Sequence, residues 1–75
     1  FAPVNVEKLA VFPEGSELDP QTLADAGLIS SAKEPVVILG QGTIDRRLIV
    51  RAHRFSASAR EKIESAGGVA ELIEV

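Results

Sequence analysis

The chain has 75 residues, with eight lysines or arginines against eleven carboxylates, one histidine and no cysteine. This length fits one small domain, and the absence of thiols excludes disulfides, a thiolate metal site and a cysteine nucleophile. We therefore expect no structural zinc and no cofactor, and no apolar run reaches the ~18–20 residues that span a bilayer.

Aromatic residues are limited to three phenylalanines, without tryptophan or tyrosine. The core should therefore be aliphatic, and any RNA contact should involve phosphates rather than stacked bases, because stacking needs exposed aromatic rings. Since the chain opens at Phe1 and not at a methionine, we expect residues 1–75 to be a single domain and a fragment of a longer protein.

The first predicted element is a helix near 5–12. Asn5 can cap its free N–H groups, and Val4 can pack on Leu9 across the first turn. Pro13 ends the helix.

A second helix is predicted over 20–26. Asp19 is placed to cap it, Pro20 suits its first helical position, and Gly27 can end it in the left-handed conformation.

Three strands are predicted at 36–39, 47–52 and 69–74. The first precedes a glycine-containing turn. The second alternates between an apolar and a cationic face, formed by Leu48, Val50 and Ala52 against Arg47, Arg51 and His53. The last alternates poorly, which indicates a strand buried on both sides.

A third helix is predicted over 57–66. Either Ser56 or Ser58 can cap it, and Ser58 with Glu61 fits a capping box. Its buried stripe should be Ala59, Ile63 and Ala66. Gly67–Gly68 should end it, with one of the two glycines at positive φ so that the chain can return as the last strand.

These elements predict an α/β fold for a small single domain, in which three short helices pack on a small three-stranded mixed sheet. The nine residues expected to form its core are Leu9, Leu23, Leu28, Val37, Leu39, Leu48, Val50, Ile63 and Leu72.

Two short motifs have a plain interpretation. The sequence Gly40-Gln41-Gly42-Thr43 lacks the remaining residues of a dinucleotide fingerprint or a P-loop, so it is interpreted as a turn. Asp45, His53 and Ser56 are the residue types of a hydrolytic triad, but neither a nucleophile elbow nor an oxyanion signature accompanies them. A small hydrolase is therefore only a remote alternative.

The basic residues are concentrated in one stretch. Six of them against Asp45 and Glu61 give residues 42–62 a net charge of +4, and the rest of the chain carries −7. Such a block indicates an anionic partner or a solvated cationic face. A strand face, a loop and a helix start could bring these residues together as one phosphate-binding surface.

The same stretch resembles the carboxy-terminal signature of large-subunit ribosomal protein L-fifteen. The resemblance runs through Ile38 to Ile44, Leu48-Ile49-Val50, Phe55-Ser56-Ala57-Ser58-Ala59, Ile63 and Ala66-Gly67-Gly68. Upstream, Val4-Asn5-Val6 with Leu9, the Asp19-Pro20 helix and Ala26 to Ile29 follow in the family's order. The family's basic, Gly/Arg-rich amino-terminal extension is not in these 75 residues, which agrees with a carboxy-terminal fragment.

The resemblance implies an L-fifteen/L-eighteen-e-like domain that is a structural constituent of the large ribosomal subunit, without catalytic activity. Its implied partners are large-subunit ribosomal RNA and neighbouring large-subunit proteins, with no membrane and no small-molecule substrate, and its implied location is the ribosome of the cytoplasm or of an organelle. The residues expected to bind rRNA are Arg46, Arg47, Arg51, His53, Arg54, Ser56, Ser58, Arg60 and Lys62. The main alternative is an adaptor domain whose basic face binds an acidic protein.

Overall fold

The computed structural model describes residues 1–73. In chain order the elements are β1 (Ala2–Asn5), α1 (Val6–Leu9), β2 (Glu17–Leu18), α2 (Pro20–Asp25), β3 (Val36–Leu39), β4 (Ile49–Ala52), β5 (Arg54–Phe55), α3 (Ala57–Ser65) and β6 (Val69–Leu72). Within this described part, no helix is long and apolar enough to cross a bilayer.

The strands form two three-stranded sheets in which every pair is parallel. One sheet has the order β1-β3-β5 and the other has the order β2-β4-β6. The predicted α/β class and the three helices are confirmed. The single mixed sheet is wrong, because the predicted strands 36–39 and 47–52 lie in different sheets and each pairs in parallel with a short strand from the first quarter of the chain.

The two sheets are joined at His53, the one residue between β4 and β5. Its backbone N–H donates to the carbonyl of Val36 at 3.0 Å. The backbone N–H of Val36 donates in return to Nδ1 of the His53 ring, also at 3.0 Å. This reciprocal pair fixes the start of β3 to the point where the chain passes from one sheet to the other.

The core is aliphatic, as predicted, and its buried apolar residues come from both sheets and all three helices. Five of the nine expected core residues are buried: Leu9, Leu23, Leu48, Val50 and Ile63. Leu28 is half-buried against them.

The other three core predictions are wrong for two reasons. In β3 the buried side chains are Val36 and Ile38, so Val37 and Leu39 lie on the opposite, half-buried face. Leu72 is 60% exposed, because β6 is an edge strand and not a strand covered on both sides. Residue 74, the predicted end of that strand, lies outside the described residues.

The first helix is shorter than predicted. Residues 2–5 pair with β3 as a strand, so α1 starts at Val6 and ends at Leu9. Asn5 precedes the helix, but its side chain makes no capping hydrogen bond. The predicted cap at this position is therefore wrong.

The other caps follow the local signals in the sequence. Asp19 accepts a 2.8 Å hydrogen bond from the Thr22 N–H, as predicted. At α3 the capping residue is Ser56, whose Oγ accepts from the Ala59 N–H at 3.1 Å, so the capping box at Ser58 is wrong. Gly67 has φ +87° after α3, which confirms the predicted turn.

Candidate nucleic-acid interface

The nine residues predicted to bind RNA do not form one continuous surface. Four of them line an open groove formed by β5, the start of α3 and the end of β6. Arg46, Arg51 and Lys62 are instead engaged by other groups of the chain. The expected single cationic arc is therefore divided by the tertiary structure.

We call this open groove the β5–α3 groove. It is lined by His53, Arg54, Phe55, Ser56, Ala57, Arg60 and Leu72. Two arginines and a histidine lie among these seven described residues, and no carboxylate does. A groove with this composition favours an anionic ligand.

Both groove arginines lie over phenylalanine rings. The guanidinium carbon of Arg54 is 5.1 Å from the centre of the Phe1 ring, and that of Arg60 is 5.8 Å from the centre of the Phe55 ring. Contacts of this kind hold a cation by its attraction to the ring face. The arginines are thereby positioned while their side chains stay exposed.

Ser56 and His53 each have one polar group occupied by the fold. Ser56 Oγ accepts the Ala59 N–H at the start of α3. His53 Nδ1 accepts the Val36 N–H, so the proton of a neutral ring is on Nε2. His53 therefore presents a hydrogen-bond donor from its remaining ring nitrogen.

Arg51 is neutralised within the sheet β2-β4-β6. Its guanidinium donates to Glu71 at 2.7 Å and to Glu17 at 3.0 Å. These hydrogen bonds, first with Glu71 and then with Glu17, raise the pKa of Arg51 above its usual value. Asp19 also interacts electrostatically with this arginine. The outer face of this sheet therefore has more carboxylates than cations, and it is a poor phosphate site.

Lys62 holds the glycine turn that follows β3. Its ammonium group donates to the carbonyls of Gly40 at 2.6 Å and Gly42 at 2.5 Å. The turn also lies against α3, because a β-carbon on Gly40 would overlap the side chain of Ser58. Lys62 thus fixes the turn, and Gly40 lies too close to Ser58 to carry a side chain, so close packing accounts for this glycine without a phosphate cradle.

Arg46 and Arg47 lie away from the β5–α3 groove. Arg46 donates to the carbonyl of Phe12 at 3.0 Å and forms a 3.4 Å ion pair with Asp45. Arg47 is exposed beside Gly67, at the other end of α3. Of the two, Arg47 has the more accessible charge.

The three residue types of a hydrolytic triad, Asp45, His53 and Ser56, are each bound to other groups of the chain. A triad needs Nδ1 of the histidine to donate to a carboxylate, but Nδ1 of His53 accepts a backbone N–H. Asp45 pairs with Arg46, and Ser56 caps α3. Residues 1–73 contain no cluster of three or more His, Cys, Asp or Glu side chains suited to a metal ion.

Sequence reasoning missed three apolar residues in or beside the groove. Phe1 and Phe55 support the two groove arginines, and Leu72 was predicted to be buried. The adjacent pair Arg54-Phe55, with Arg60 in the first turn of the next helix, was the available signal for the second contact. Nothing local indicated that Leu72 would be exposed.

Residues 3–71 match the family described as ribosomal proteins 50S-L15, 50S-L18e and the 60S protein L-twenty-seven-A. The match includes the glycine turn held by Lys62, the whole of α3 and every strand except for Ala2 of β1 and Leu72 of β6. The chain therefore belongs to this family of large-subunit ribosomal proteins.

Proposed function

We propose that this chain is a structural constituent of the large ribosomal subunit that binds large-subunit rRNA through the β5–α3 groove. The contacting residues are His53, Arg54, Ser56 and Arg60. The observation that supports this assignment is the grouping of two exposed arginines and a donor histidine without a carboxylate among the described lining residues. The role is charge neutralisation and the fixing of RNA shape, without a catalytic step.

The start of α3 favours an anion for a second reason. The groove includes Ser56 and Ala57, the cap and the first residue of a nine-residue helix. Backbone N–H groups at a helix start carry partial positive charge, which adds to the charge of the arginines. A phosphate in the groove is thus attracted by both side chains and the backbone.

An acidic face on the sheet β2-β4-β6 indicates how the domain is oriented toward RNA. Glu17, Asp19 and Glu71 surround Arg51 on the outer face of the sheet β2-β4-β6. This acidic face repels RNA, so the groove faces the RNA and the acidic face points to solvent or to a neighbouring protein. We place Arg47 at the margin of the RNA contact, and Arg46, Arg51, Ser58 and Lys62 outside it.

The test compares single arginine substitutions by the salt dependence of binding to a large-subunit rRNA transcript. Each lost phosphate contact reduces the slope of log affinity on log salt by about 0.9. Arg54→Ala and Arg60→Ala should each flatten the slope by about one contact. Arg51→Ala is the matched control, because it removes the same charge from the acidic face and should leave the slope unchanged.

Three results would contradict the assignment. If Arg51→Ala and Arg54→Ala flattened the salt slope equally, RNA binding would depend only on the total charge of the domain. A slope unaffected by both groove variants would leave the arginines without phosphate contacts. Tight binding of an acidic peptide in place of RNA would favour the adaptor alternative.

A further inference from the structure

We infer that the β5–α3 groove receives an unpaired nucleotide, with its base against Leu72 and Phe55 and its phosphate at Arg54 and Arg60. This inference rests on the proposed function and deepens it. It replaces the sequence-based expectation of contacts to phosphates alone. The reasons are the apolar part of the groove, its size and the placement of the arginines.

The groove has an apolar side that a phosphate cannot use. Leu72 is 60% exposed, and it lies in the groove together with the half-buried Phe55 ring. Covering this surface releases water from apolar groups, which favours a ligand that carries an apolar face beside its charge. A nucleobase joined to a phosphate has both.

The arginines also offer flat surfaces. Arg60 lies over the Phe55 ring, so a base that enters the groove meets the guanidinium plane or the exposed part of the ring. RNA-binding proteins commonly stack unpaired bases on aromatic rings and on guanidinium planes. Arg60 therefore offers both a stacking surface and a positive charge, and Phe55 adds the exposed part of its ring.

The groove is large enough to accept an unpaired nucleotide. The groove has a volume of ≈ 570 Å³, within the range of sites that hold small organic ligands. In an A-form helix the bases are stacked inside, and only phosphates, sugars and base edges in the shallow groove are accessible. The His53 ring, fixed by Val36, adds a donor for the edge of an extruded base or for its phosphate.

The test uses two single-stranded RNA probes and the 75-residue chain, with circular dichroism to verify folding. One probe is an oligouridylate of about twelve nucleotides, within the range of site sizes for single-stranded RNA. The other has the same length and charge but lacks bases. We expect the abasic strand to bind about fivefold more weakly, the low end of the contribution of one base stack.

Two substitutions in β6 test whether the difference in affinity between the two probes arises at the groove. Leu72→Ser should lower the affinity ratio of the two probes below that of the parent chain while leaving the salt slope unchanged, because it removes part of the apolar surface and no charge. Val69→Ser is the matched control, since Val69 is 46% exposed in β6 but lies outside the groove. It should retain the full ratio.

The outcomes distinguish a failure of the inference from a failure of the proposed function on which it rests. Equal affinity for the two probes, with a slope that still depends on Arg54 and Arg60, overturns the base contact and leaves rRNA binding intact. The same ratio in Leu72→Ser and Val69→Ser also overturns it. If the chain binds neither of the two probes nor an rRNA transcript, the proposed function and the inference are both overturned. Preferential binding of an acidic peptide would assign the groove to a protein partner.

Discussion

Replacing Lys62 by methionine tests whether this residue serves the fold or the RNA. Methionine keeps an unbranched apolar side chain but removes the ammonium group that donates to Gly40 and Gly42. Lys62 is half-buried, and its two acceptors lie 22 and 20 residues earlier in the chain. The substitution therefore releases the turn after β3 from α3 without creating a cavity.

The size of the effect follows from the two hydrogen bonds. A hydrogen bond to a charged group contributes about 1.5–3 kcal/mol. Because the site is only partly buried, water can satisfy the released carbonyls in part, so we expect a combined loss of about 2–3 kcal/mol. A domain of this size has a free energy of unfolding of about 4–11 kcal/mol, so the loss is a large fraction of the total.

Urea unfolding followed by circular dichroism measures this loss. With an m-value of about 1.2 kcal/mol/M, the midpoint should fall by about 2 M. Lys33→Met removes the same charge at an exposed position and should change the midpoint little. A loss below about 0.5 kcal/mol, together with a flatter salt slope for rRNA binding, would show that Lys62 contacts phosphates and would refute the structural role.

Three further predictions concern stability. Ile63→Ala should lower the free energy of unfolding by about 2–4 kcal/mol, because the Ile63 side chain is 1% exposed; a loss below about 1 kcal/mol in urea would contradict its burial. Gly68→Ala should be more destabilising than Gly67→Ala by thermal unfolding, since its new β-carbon would overlap the backbone of Leu48 whereas Gly67 has only an unfavourable φ to overcome; equal losses would argue against the close contact. Asp19→Ala should cost about 1 kcal/mol at pH 7. The Thr22 N–H lowers the pKa of Asp19, so the contribution of the carboxylate is complete above its ordinary pKa of 3.8 and is lost as the pH falls through the lower folded value. The gap between the parent chain and Asp19→Ala should therefore narrow in acid, and a gap that widens would contradict this sign.

Signals that act over a few residues were readable from the sequence. Asp19 caps α2, Gly67 turns the chain after α3, and alternate residues of β4 are buried, all as predicted. Each depends on groups within a few positions of one another: a carboxylate three residues from an N–H, a glycine after a helix, or a period of two along a strand. The family was also identifiable, because its motifs are short stretches of sequence.

Strand pairing was decided by contacts between distant parts of the chain. Residues 2–5 carry helix-start signals, yet they form a strand because β3 offers them a parallel partner. The same pairing decides which side of β3 faces the core, and an edge position in the second sheet leaves Leu72 exposed. A local pattern contains no information on which strand lies at an edge.

Tertiary structure also decided which basic side chains can meet a ligand. Arg51 and Arg54 are equivalent as sequence letters, three positions apart in a basic stretch. Arg51 meets carboxylates 34 and 20 residues away, whereas Arg54 passes into the other sheet and lies over Phe1. The charge on a side chain follows from its chemistry, so the sequence determined that this stretch is basic. Whether that charge is free for RNA depends on which side chains the fold brings within a few ångströms, because electrostatic interactions depend on distance in space and not on separation along the chain.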